Sequence, residues 1–295
     1  MESKEVNKDE KKTVFALMKW ASDSLNLAGI EDPAFESRDI MMFVLDCSMP
    51  ELLIKKSQIL DEISIARFKK IVKKRMTHYP LQYILGSTGF MGFDFKCREG
   101  VLIPRFDTEN LVVEALERTK SRKTITALDL CCGTGCIGIS YELLRSEAGH
   151  DDDQVTCADI SDFAIGLAKE NVEKLNASVD IVQSDLFTQF EDTSFDLIMS
   201  NPPYIPTREI FKLMKDVRDF EPHLALDGDQ DGLKFYRQII DEAPDHLNKN
   251  GYLVLEIGYD QAAAVETLMH RAGFSQIVCK KDLNGLDRVV SGKLM

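Results

Sequence analysis

The sequence predicts an α/β protein with a doubly wound sheet, preceded by a small all-helical domain and a β-hairpin bridge. Three observations predict this arrangement. Up to residue 76, apolar side chains recur at helical spacing. Residues 77–104 carry short aromatic and β-branched runs punctuated by glycine. From residue 125 onward, apolar runs of strand length alternate with helical patterns, which is typical of a doubly wound sheet. We therefore divide the chain into residues 1–76, 77–104 and 105–295.

The N-terminal domain is predicted to contain three helices after a frayed start of about 12 residues. The first begins near Val14, and the second begins at Asp32-Pro33, because proline suits the first turn of a helix. Ser64 is expected to cap the third, over residues 65–76. This third helix has a basic face, which we interpret as solvated surface rather than as a docking surface, formed by Arg67, Lys69, Lys70, Lys73, Lys74 and Arg75.

In the bridge, residues 93–97 alternate between apolar and polar side chains, and the apolar residues 101–103 follow a glycine turn at Gly100. We expect these two runs to pair as a hairpin. Asp107 or Thr108 is expected to cap the helix that follows.

The third part is predicted to alternate between strands and helices. Strands are expected at residues 125–130, 155–158, 179–183, 195–200, 252–257, 277–279 and 288–290. Helices are expected at residues 109–120, after the glycine turn at residues 131–138, and at residues 163–175, 235–247 and 261–272.

Composition restricts the class of protein. The chain has 295 residues and a net charge of −13, and its first 80 residues are close to neutral, so the acidity lies in the third part. An acidic domain is a poor partner for a phosphate backbone, so we expect no direct nucleic-acid partner. We find no apolar run long enough to span a membrane and no signal-peptide pattern in MESKEVNKDEKK. Seven scattered cysteines indicate reduced thiols and a cytoplasmic location.

The turn after the first predicted sheet strand indicates a nucleoside cofactor. Gly133-x-Gly135-x-x-Gly138 matches the dinucleotide fingerprint by letter, but two cysteines fill the first half of the turn. Asp159, at the end of the next strand, is expected to take a ribose diol, and Asp185, at the end of the third, an adenine amino group. Acids at successive strand ends suit a nucleoside without phosphates, such as S-adenosylmethionine (SAM).

The strand that ends at Ser200 is followed by Asn201-Pro202-Pro203-Tyr204. Two prolines stop the strand, because neither has a backbone N–H for the ladder. The side-chain oxygen of Asn201 and the carbonyl of Pro202 are free to accept hydrogen bonds, and Tyr204 offers a flat face. Together they could hold a planar NH₂ group by both its hydrogens. A rigid turn without a chemical role is the competing interpretation.

We expect no metal site. The segment Asp227–Gly232 copies the first half of a calcium loop, but Gln238 stands where that loop needs a glutamate. The cysteines lack the spacing of a zinc site, and the five histidines are dispersed.

The chain resembles the release-factor glutamine methyltransferases over residues 77–295. The motifs that carry the resemblance lie in the same order as in that family. They are Pro80–Gly86, Val101–Arg105, Asp107–Glu109, Leu128–Cys131, Ser184–Phe187, Asn201–Ile205, Glu221-Pro222, Asp231–Leu233, Leu255–Gly258 and Gly285–Arg288. Two features depart from the family pattern: Phe106 stands where proline is frequent, and cysteine fills both positions before Gly133.

The resemblance implies a Rossmann-like SAM-dependent methyltransferase domain that methylates the glutamine of a Gly-Gly-Gln loop in class I peptide chain release factors, with S-adenosyl-L-homocysteine as product. The helical domain would dock the protein substrate. Asn201, Pro202 and Tyr204 would be catalytic, and together with Pro203 they would bind the substrate. The residues expected to bind SAM are Cys131, Cys132, Gly133, Thr134, Gly135, Asp159, Asp185, Leu186 and Asn201.

Two alternatives remain open at this point. Asn-Pro-Pro-Tyr also occurs in adenine-N6 methyltransferases that act on nucleic acid, although the acidity of the third part argues against that substrate. A catalytically silent binding module with the same fold is the other, and the intact Asn201–Tyr204 turn argues against it.

Overall fold

A computed structural model describes residues 12–295, so the start of the chain that we expect to be frayed lies outside the described residues. The chain divides into two compact units, residues 1–86 and 87–295. Within residues 12–295 we find no helix that is both long and apolar enough to cross a membrane.

The first unit is helical, as predicted. Thr13 caps the first helix by accepting a hydrogen bond from the Ala16 amide. The apolar faces of the helices meet in one core that includes Leu17, Ile40 and Phe68. The helices are α1 (Val14–Leu27), α2 (Pro33–Leu45), α3 (Met49–Ile54), α4 (Glu62–Arg75) and α5 (Leu81–Leu85).

Two predictions for the first unit are wrong. Helix α4 is capped by Asp61, whose carboxylate accepts the Ser64 amide, so the helix begins three residues earlier than predicted. Arg75 does not belong to the solvated basic face, because it is buried and makes a two-pronged ion pair with Glu36, at 2.7 and 2.9 Å. Helix α3 was missed, although the capping box of Ser48 and Glu51 is a readable signal for it.

The second unit contains a hairpin and a seven-stranded sheet. Its strands are β1 (Ser87–Phe90), β2 (Phe93–Lys96), β3 (Thr126–Leu130), β4 (Gln154–Asp159), β5 (Val179–Gln183), β6 (Phe195–Ser200), β7 (Leu247–Glu256), β8 (Phe274–Lys281) and β9 (Asp287–Leu294). Its helices are α6 (Glu109–Thr119), α7 (Cys136–Glu147), α8 (Asp162–Leu175), α9 (Thr207–Ile210), α10 (Lys215–Phe220), α11 (Lys234–Glu242) and α12 (Ala262–Arg271).

The sheet has the strand order β5-β4-β3-β6-β7-β9-β8, and its first five strands are parallel. Consecutive residues of β6, Leu197 and Ile198, pack into two different core clusters, so apolar cores lie on both faces of the sheet. The predicted doubly wound α/β fold is confirmed. The strand order reverses between β3 and β6, and this switch point is where such sheets bind ligands.

The hairpin exists, but the predicted pairing is wrong. Strand β2 pairs with β1 instead of with residues 101–103, which form no strand. The turn consists of Met91 and Gly92, both with positive φ (50° and 85°), which matches the twist of a two-residue hairpin turn. Val101 and Ile103 are buried in extended chain.

Several element ends also differ from prediction. Thr108 precedes α6 without a side-chain cap, because residues 106–108 already form a 3₁₀ turn. Helix α11 ends at Glu242, before a 3₁₀ turn that contains Pro244, rather than continuing to residue 247. Strand β7 begins at Leu247, five residues earlier than predicted. The short helices α9 and α10 were not predicted.

Gly138 serves close packing between helix α7 and the sheet. A Cβ atom at this position would lie 2.3 Å from the Cys157 Sγ and 3.1 Å from the Asp129 Cβ. The third glycine of the apparent dinucleotide fingerprint is therefore required where the helix crosses β3 and β4.

We expect Gly138→Ala to lower the free energy of unfolding by about 1–3 kcal/mol, because the added methyl group overpacks a closed contact. The matched control is Gly166→Ala in α8, where a Cβ atom meets nothing within 4 Å. There the loss of unfolded-state entropy should stabilise the fold by roughly 0.5–1 kcal/mol. Urea unfolding of both variants checks this, and equal effects at the two positions would contradict it.

Candidate active site

The carboxyl ends of β3, β4, β5 and β6 open into a cavity of about 330 Å³ at the switch point of the sheet. Parallel strands all end at the same edge of the sheet, so the turns that follow these strands lie together around the cavity. The bridge segment Gly100–Arg105 forms one wall, and Lys234, Phe235 and Gln238 lie at the start of α11 on another.

Asp159 organises the turn after β3. Its two carboxylate oxygens each accept a backbone amide, from Gly133 and from Ser161, both at 2.9 Å. Burial raises the pKa of Asp159, and these backbone hydrogen bonds oppose the rise. The carboxylate therefore fixes the glycine turn while it lines the cavity.

Asp129 lies beneath this turn and was not predicted to be a site residue. It is fully buried, and its Oδ2 accepts the Gly138 amide at 2.9 Å. Its Oδ1 has no donor within residues 12–295. Burial raises the pKa of Asp129 to about 7. The carboxyl group thus joins β3 to the start of α7 at the cost of a poorly solvated charge.

Two strand ends at the cavity carry non-glycine residues in the left-handed region. Cys131 has φ of 58° and Leu186 has φ of 46°. Such residues cost about 1–3 kcal/mol each and concentrate at ligand sites. Both line the cavity.

Most of the residues expected to bind the cofactor come together. Gly135 does not line the cavity; it begins helix α7 with φ of 78°. Cys132 and Thr134 are almost fully buried. Burial raises the pKa of Cys131, and a hydrogen bond with Cys157 together with burial raises the pKa of Cys132, so both thiols stay protonated. The predicted cofactor residues that line the cavity are Cys131, Cys132, Gly133, Thr134, Asp159, Asp185, Leu186 and Asn201.

The proline turn after β6 leaves two acceptors unused. Pro202 and Pro203 are buried, and the Asn201 Nδ2 donates a long hydrogen bond to the Thr108 hydroxyl, 3.4 Å away. Among residues 12–295, none donates a hydrogen bond to the Asn201 Oδ1 or to the Pro202 carbonyl. The turn can therefore accept hydrogen bonds from a ligand.

A second cavity, of about 280 Å³, adjoins this turn. Four residues line both cavities, so the two spaces meet there: Leu102, Arg105, Asn201 and Ala225. The other residues that line the second cavity are Tyr204, Ile205, Met214, Val217, Leu226 and Glu256.

Tyr204 is held at both ends. Its hydroxyl donates to the Glu256 Oε1 at 3.2 Å, and its backbone carbonyl accepts the Gln261 Nε2 at 2.9 Å. Burial raises the pKa of Tyr204, so the phenol stays protonated. The ring is thus fixed beside the second cavity.

The segment Asp227–Gly232, whose sequence resembles half of a calcium loop, packs against Tyr204. A Cβ atom at Gly228 would lie 2.8 Å from the Tyr204 Cα, and one at Gly232 would lie 2.3 Å from the Tyr204 carbonyl oxygen. Asp231 makes an ion pair with Arg237 instead of facing a common centre with Asp227. Within the part of the chain that the structure describes, we find no group of three or more His, Cys, Asp or Glu side chains that could hold a metal ion.

Residues from distant parts of the sequence frame the two cavities. Glu221 is buried, accepts the Ile103 amide at 3.3 Å and pairs with Arg105. Arg288 lies 3.5 Å from Asp107 and 3.2 Å from Asp282. The bridge is therefore connected to both the Glu221-Pro222 segment and the C-terminal strand pair.

Sequence reasoning did not assign Thr108, Glu256 or Gln261 to the site. A readable signal existed for Glu256, because a carboxylate interrupts the otherwise apolar run Leu253–Ile257. Thr108 and Gln261 have no such signal, since their roles depend on contacts made across the fold.

Two family models match the chain. The PrmC N-terminal domain matches residues 16–86, and the methyltransferase small domain matches residues 105–217.

Curated relatives match nearly the whole chain. A release factor glutamine methyltransferase of Geobacter sulfurreducens is 38% identical over 96% of this chain and 97% of its own length. One from Bacillus subtilis is 35% identical over 95% of this chain and 97% of its own length. One from Clostridium botulinum is 42% identical over 77% of this chain and 80% of its own length.

Solved structures share the fold. The hMettl16 catalytic domain in complex with a MAT2A 3′UTR hairpin has a TM-score of 0.55 at 16% identity, over 80% of this chain and 83% of that one. The T. thermophilus 16S rRNA N2 G1207 methyltransferase, in complex with AdoMet and guanosine, has a TM-score of 0.50 at 16% identity. That match covers 71% of this chain and 50% of the other.

Proposed function

The chain belongs to the release factor glutamine methyltransferase family, and on this basis we propose that it methylates the side-chain amide nitrogen (N5) of the glutamine in the Gly-Gly-Gln loop of class I peptide chain release factors. The methyl donor is SAM, and the product is S-adenosyl-L-homocysteine. The observation that carries the acceptor assignment is the pair of unused acceptors at Asn201, which lines both cavities, and at the neighbouring Pro202.

The first cavity offers hydrogen-bond acceptors that suit SAM. Asp159 can accept hydrogen bonds from a ribose diol with its remaining lone pairs, and Asp185 lies at the next strand end. The turn at residues 131–134 would hold the amino-acid end. When bound there, SAM supplies an electrophilic methyl group on a sulfonium.

The proline turn suits a carboxamide acceptor. The lone pair of an amide nitrogen is delocalised into the carbonyl, so the nitrogen is a poor nucleophile. The Asn201 Oδ1 and the Pro202 carbonyl would accept its two N–H groups, which localises that lone pair and aims it toward the first cavity. Tyr204 would pack on the amide plane. The rate would come from positioning and fixed dipoles rather than from a side-chain base. When the methyl group passes from the sulfonium to the nitrogen, the sulfonium becomes the neutral thioether of S-adenosyl-L-homocysteine, and the cationic N-methyl amide would lose one N–H proton to solvent.

The helical region, residues 1–76, would dock the release factor. Its independent apolar core is consistent with a separate module, and residues 77–86 complete the same compact unit. We also propose a cytoplasmic location, because all seven cysteines are free thiols.

The relatives favour a protein acceptor over the adenine-N6 alternative. Incubation with methyl-labelled SAM and either a release factor or a DNA and RNA mixture separates the hypotheses. We expect label in the release factor, at the glutamine of its Gly-Gly-Gln loop. Label in nucleic acid alone would contradict the assignment, and label in neither would favour a silent binding module.

Asp159→Asn should weaken SAM binding about 10- to 100-fold, the scale of a lost charge-assisted hydrogen bond. The variant keeps the shape of the side chain, and its one amide oxygen can still accept one of the two backbone amides that Asp159 holds. Isothermal titration calorimetry measures the affinity, with the exposed Asp180→Asn in β5 as control. Unchanged affinity in a folded Asp159→Asn protein would remove this residue from the cofactor site.

Asn201→Ala should lower the single-turnover rate about 10²- to 10³-fold, because one substrate N–H loses its acceptor in a closed site. SAM affinity should change far less. Asn201→Asp should be impaired as well, since it loses the amide donor and brings a charge beside the sulfonium. Rapid-quench measurement with the surface variant Asn248→Ala as control tests this. A folded Asn201→Ala enzyme at near wild-type rate would refute the proposed role.

A protein of residues 87–295 should bind SAM as the full chain does but lose at least about tenfold in kcat/KM for an intact release factor, because remote binding contacts are missing. A short Gly-Gly-Gln peptide lacks the rest of the release factor, which the helical unit would bind, so both proteins should methylate it equally. If the shortened protein, shown to be folded by circular dichroism, methylates the intact factor as well as the full chain does, the docking role is wrong.

A further inference from the structure

Glu256 is an unusual residue for the centre of a sheet. It ends β7 after Leu253, Val254 and Leu255, and its side chain is only 2% exposed. It lines the second cavity, and its Oε2 has no donor among the described residues. A buried carboxylate with an unpaired oxygen lowers the stability of a fold, and such a cost at a cavity wall points to a functional role.

The contacts of Glu256 converge on tyrosines. Its Oε1 accepts the Tyr204 hydroxyl at 3.2 Å, and its backbone carbonyl accepts the Tyr236 hydroxyl at 2.8 Å. Tyr236 is fully buried and keeps this end of β7 in place. The hydrogen bond from Tyr204 therefore ends on the side chain of a residue whose backbone is held at the end of β7.

Four neighbours control the charge of Glu256. Burial raises the pKa of Glu256 to about 7, while the Thr108 hydroxyl, Arg288 and Tyr204 oppose the rise and Asp107 adds to it. Arg288 also pairs with Asp107 and Asp282, so its charge is shared. Arg105, which also lines the second cavity, is paired with Glu221.

We propose that Glu256 is a positioning residue for the acceptor glutamine, which it serves by holding the Tyr204 ring in the wall of the second cavity beside Asn201. This inference rests on the proposed function. Without the hydrogen bond to Glu256, the Tyr204 side chain loses its anchor at the far end and is held through its backbone carbonyl. The face that packs on the acceptor amide is then less well ordered, which affects acceptor binding and turnover but not the cofactor cavity.

The role of Glu256 makes acceptor recognition dependent on pH. An ionised carboxylate is a stronger hydrogen-bond acceptor than a protonated one. Because the pKa of Glu256 lies at about 7, the anchor of Tyr204 weakens as the pH falls through neutrality. In the wild-type enzyme, kcat/KM for the acceptor should therefore fall as the pH is lowered below about 7.

The test compares Glu256→Gln, Tyr204→Phe and the double variant in the full chain, with Glu114→Gln as control. Glu114 is another buried carboxylate; it pairs with Arg118 and Ser291 and lines neither cavity. Four quantities are measured: kcat and KM for a Gly-Gly-Gln peptide from pH 6 to 9, the SAM Kd, and Tm at pH 8.

We expect Glu256→Gln and Tyr204→Phe each to lower acceptor kcat/KM about tenfold or more, the effect of one charge-assisted hydrogen bond. The double variant should have a kcat/KM no lower than that of the less active single variant, because both substitutions remove the same contact. The decline of kcat/KM below about pH 7 should disappear in Glu256→Gln. SAM affinity should stay near the wild-type value, and Tm at pH 8 should not fall, because a buried charge is removed.

The inference is overturned if Glu256→Gln keeps the wild-type kcat/KM and its decline at low pH. It is also overturned if the losses of kcat/KM in the two single variants add in the double variant, or if SAM affinity and Tm fall together with activity. Glu114→Gln should change Tm without changing acceptor kinetics. Failure of the proposed function would be distinguishable, since the wild-type enzyme would then leave the peptide unmethylated.

Discussion

Pro202 and Pro203 cannot donate backbone hydrogen bonds, and the arrangement of the site depends on that constraint. It ends β6 at Ser200 and forces the chain out of the sheet beside the turn that follows β3. Among residues 12–295, the Asn201 Oδ1 and the Pro202 carbonyl accept no hydrogen bond. The same two residues that interrupt the sheet thus create a place where an amide can be held.

Buried carboxylates support this turn and the one opposite it. Asp159 and Asp129 hold the glycine turn through backbone amides, and Glu256 holds Tyr204. Each is a desolvated group with a raised pKa. Burying these groups costs stability, and in return the cavity walls keep fixed positions before any ligand arrives, which is the preorganisation that catalysis by positioning requires.

The sequence predicted the parts of the molecule that follow local rules. Strands β3 to β6 are short runs rich in apolar residues, and polar residues mark the ends of three of them: Asp159 ends β4, Asp185 follows β5 and Asn201 follows β6. Both features were readable. Contacts across the fold were not. The hairpin register depended on Met91 adopting a positive φ, and the burial of Arg75 depended on Glu36, 39 residues earlier. Glycines 228 and 232 resembled metal-loop residues, because their packing against Tyr204 appears only when the turns meet.

The central claim is that the acceptor amide is held by the Asn201 Oδ1, where the two cavities meet, and by the carbonyl of the neighbouring Pro202. A crystal structure of this enzyme with S-adenosyl-L-homocysteine and a release factor tests it most directly. The account predicts that the glutamine side-chain nitrogen of the Gly-Gly-Gln loop lies within hydrogen-bond distance, about 2.7–3.2 Å, of both oxygens, with the Tyr204 ring against the amide. A glutamine side chain bound in the enzyme but away from these two oxygens would contradict it.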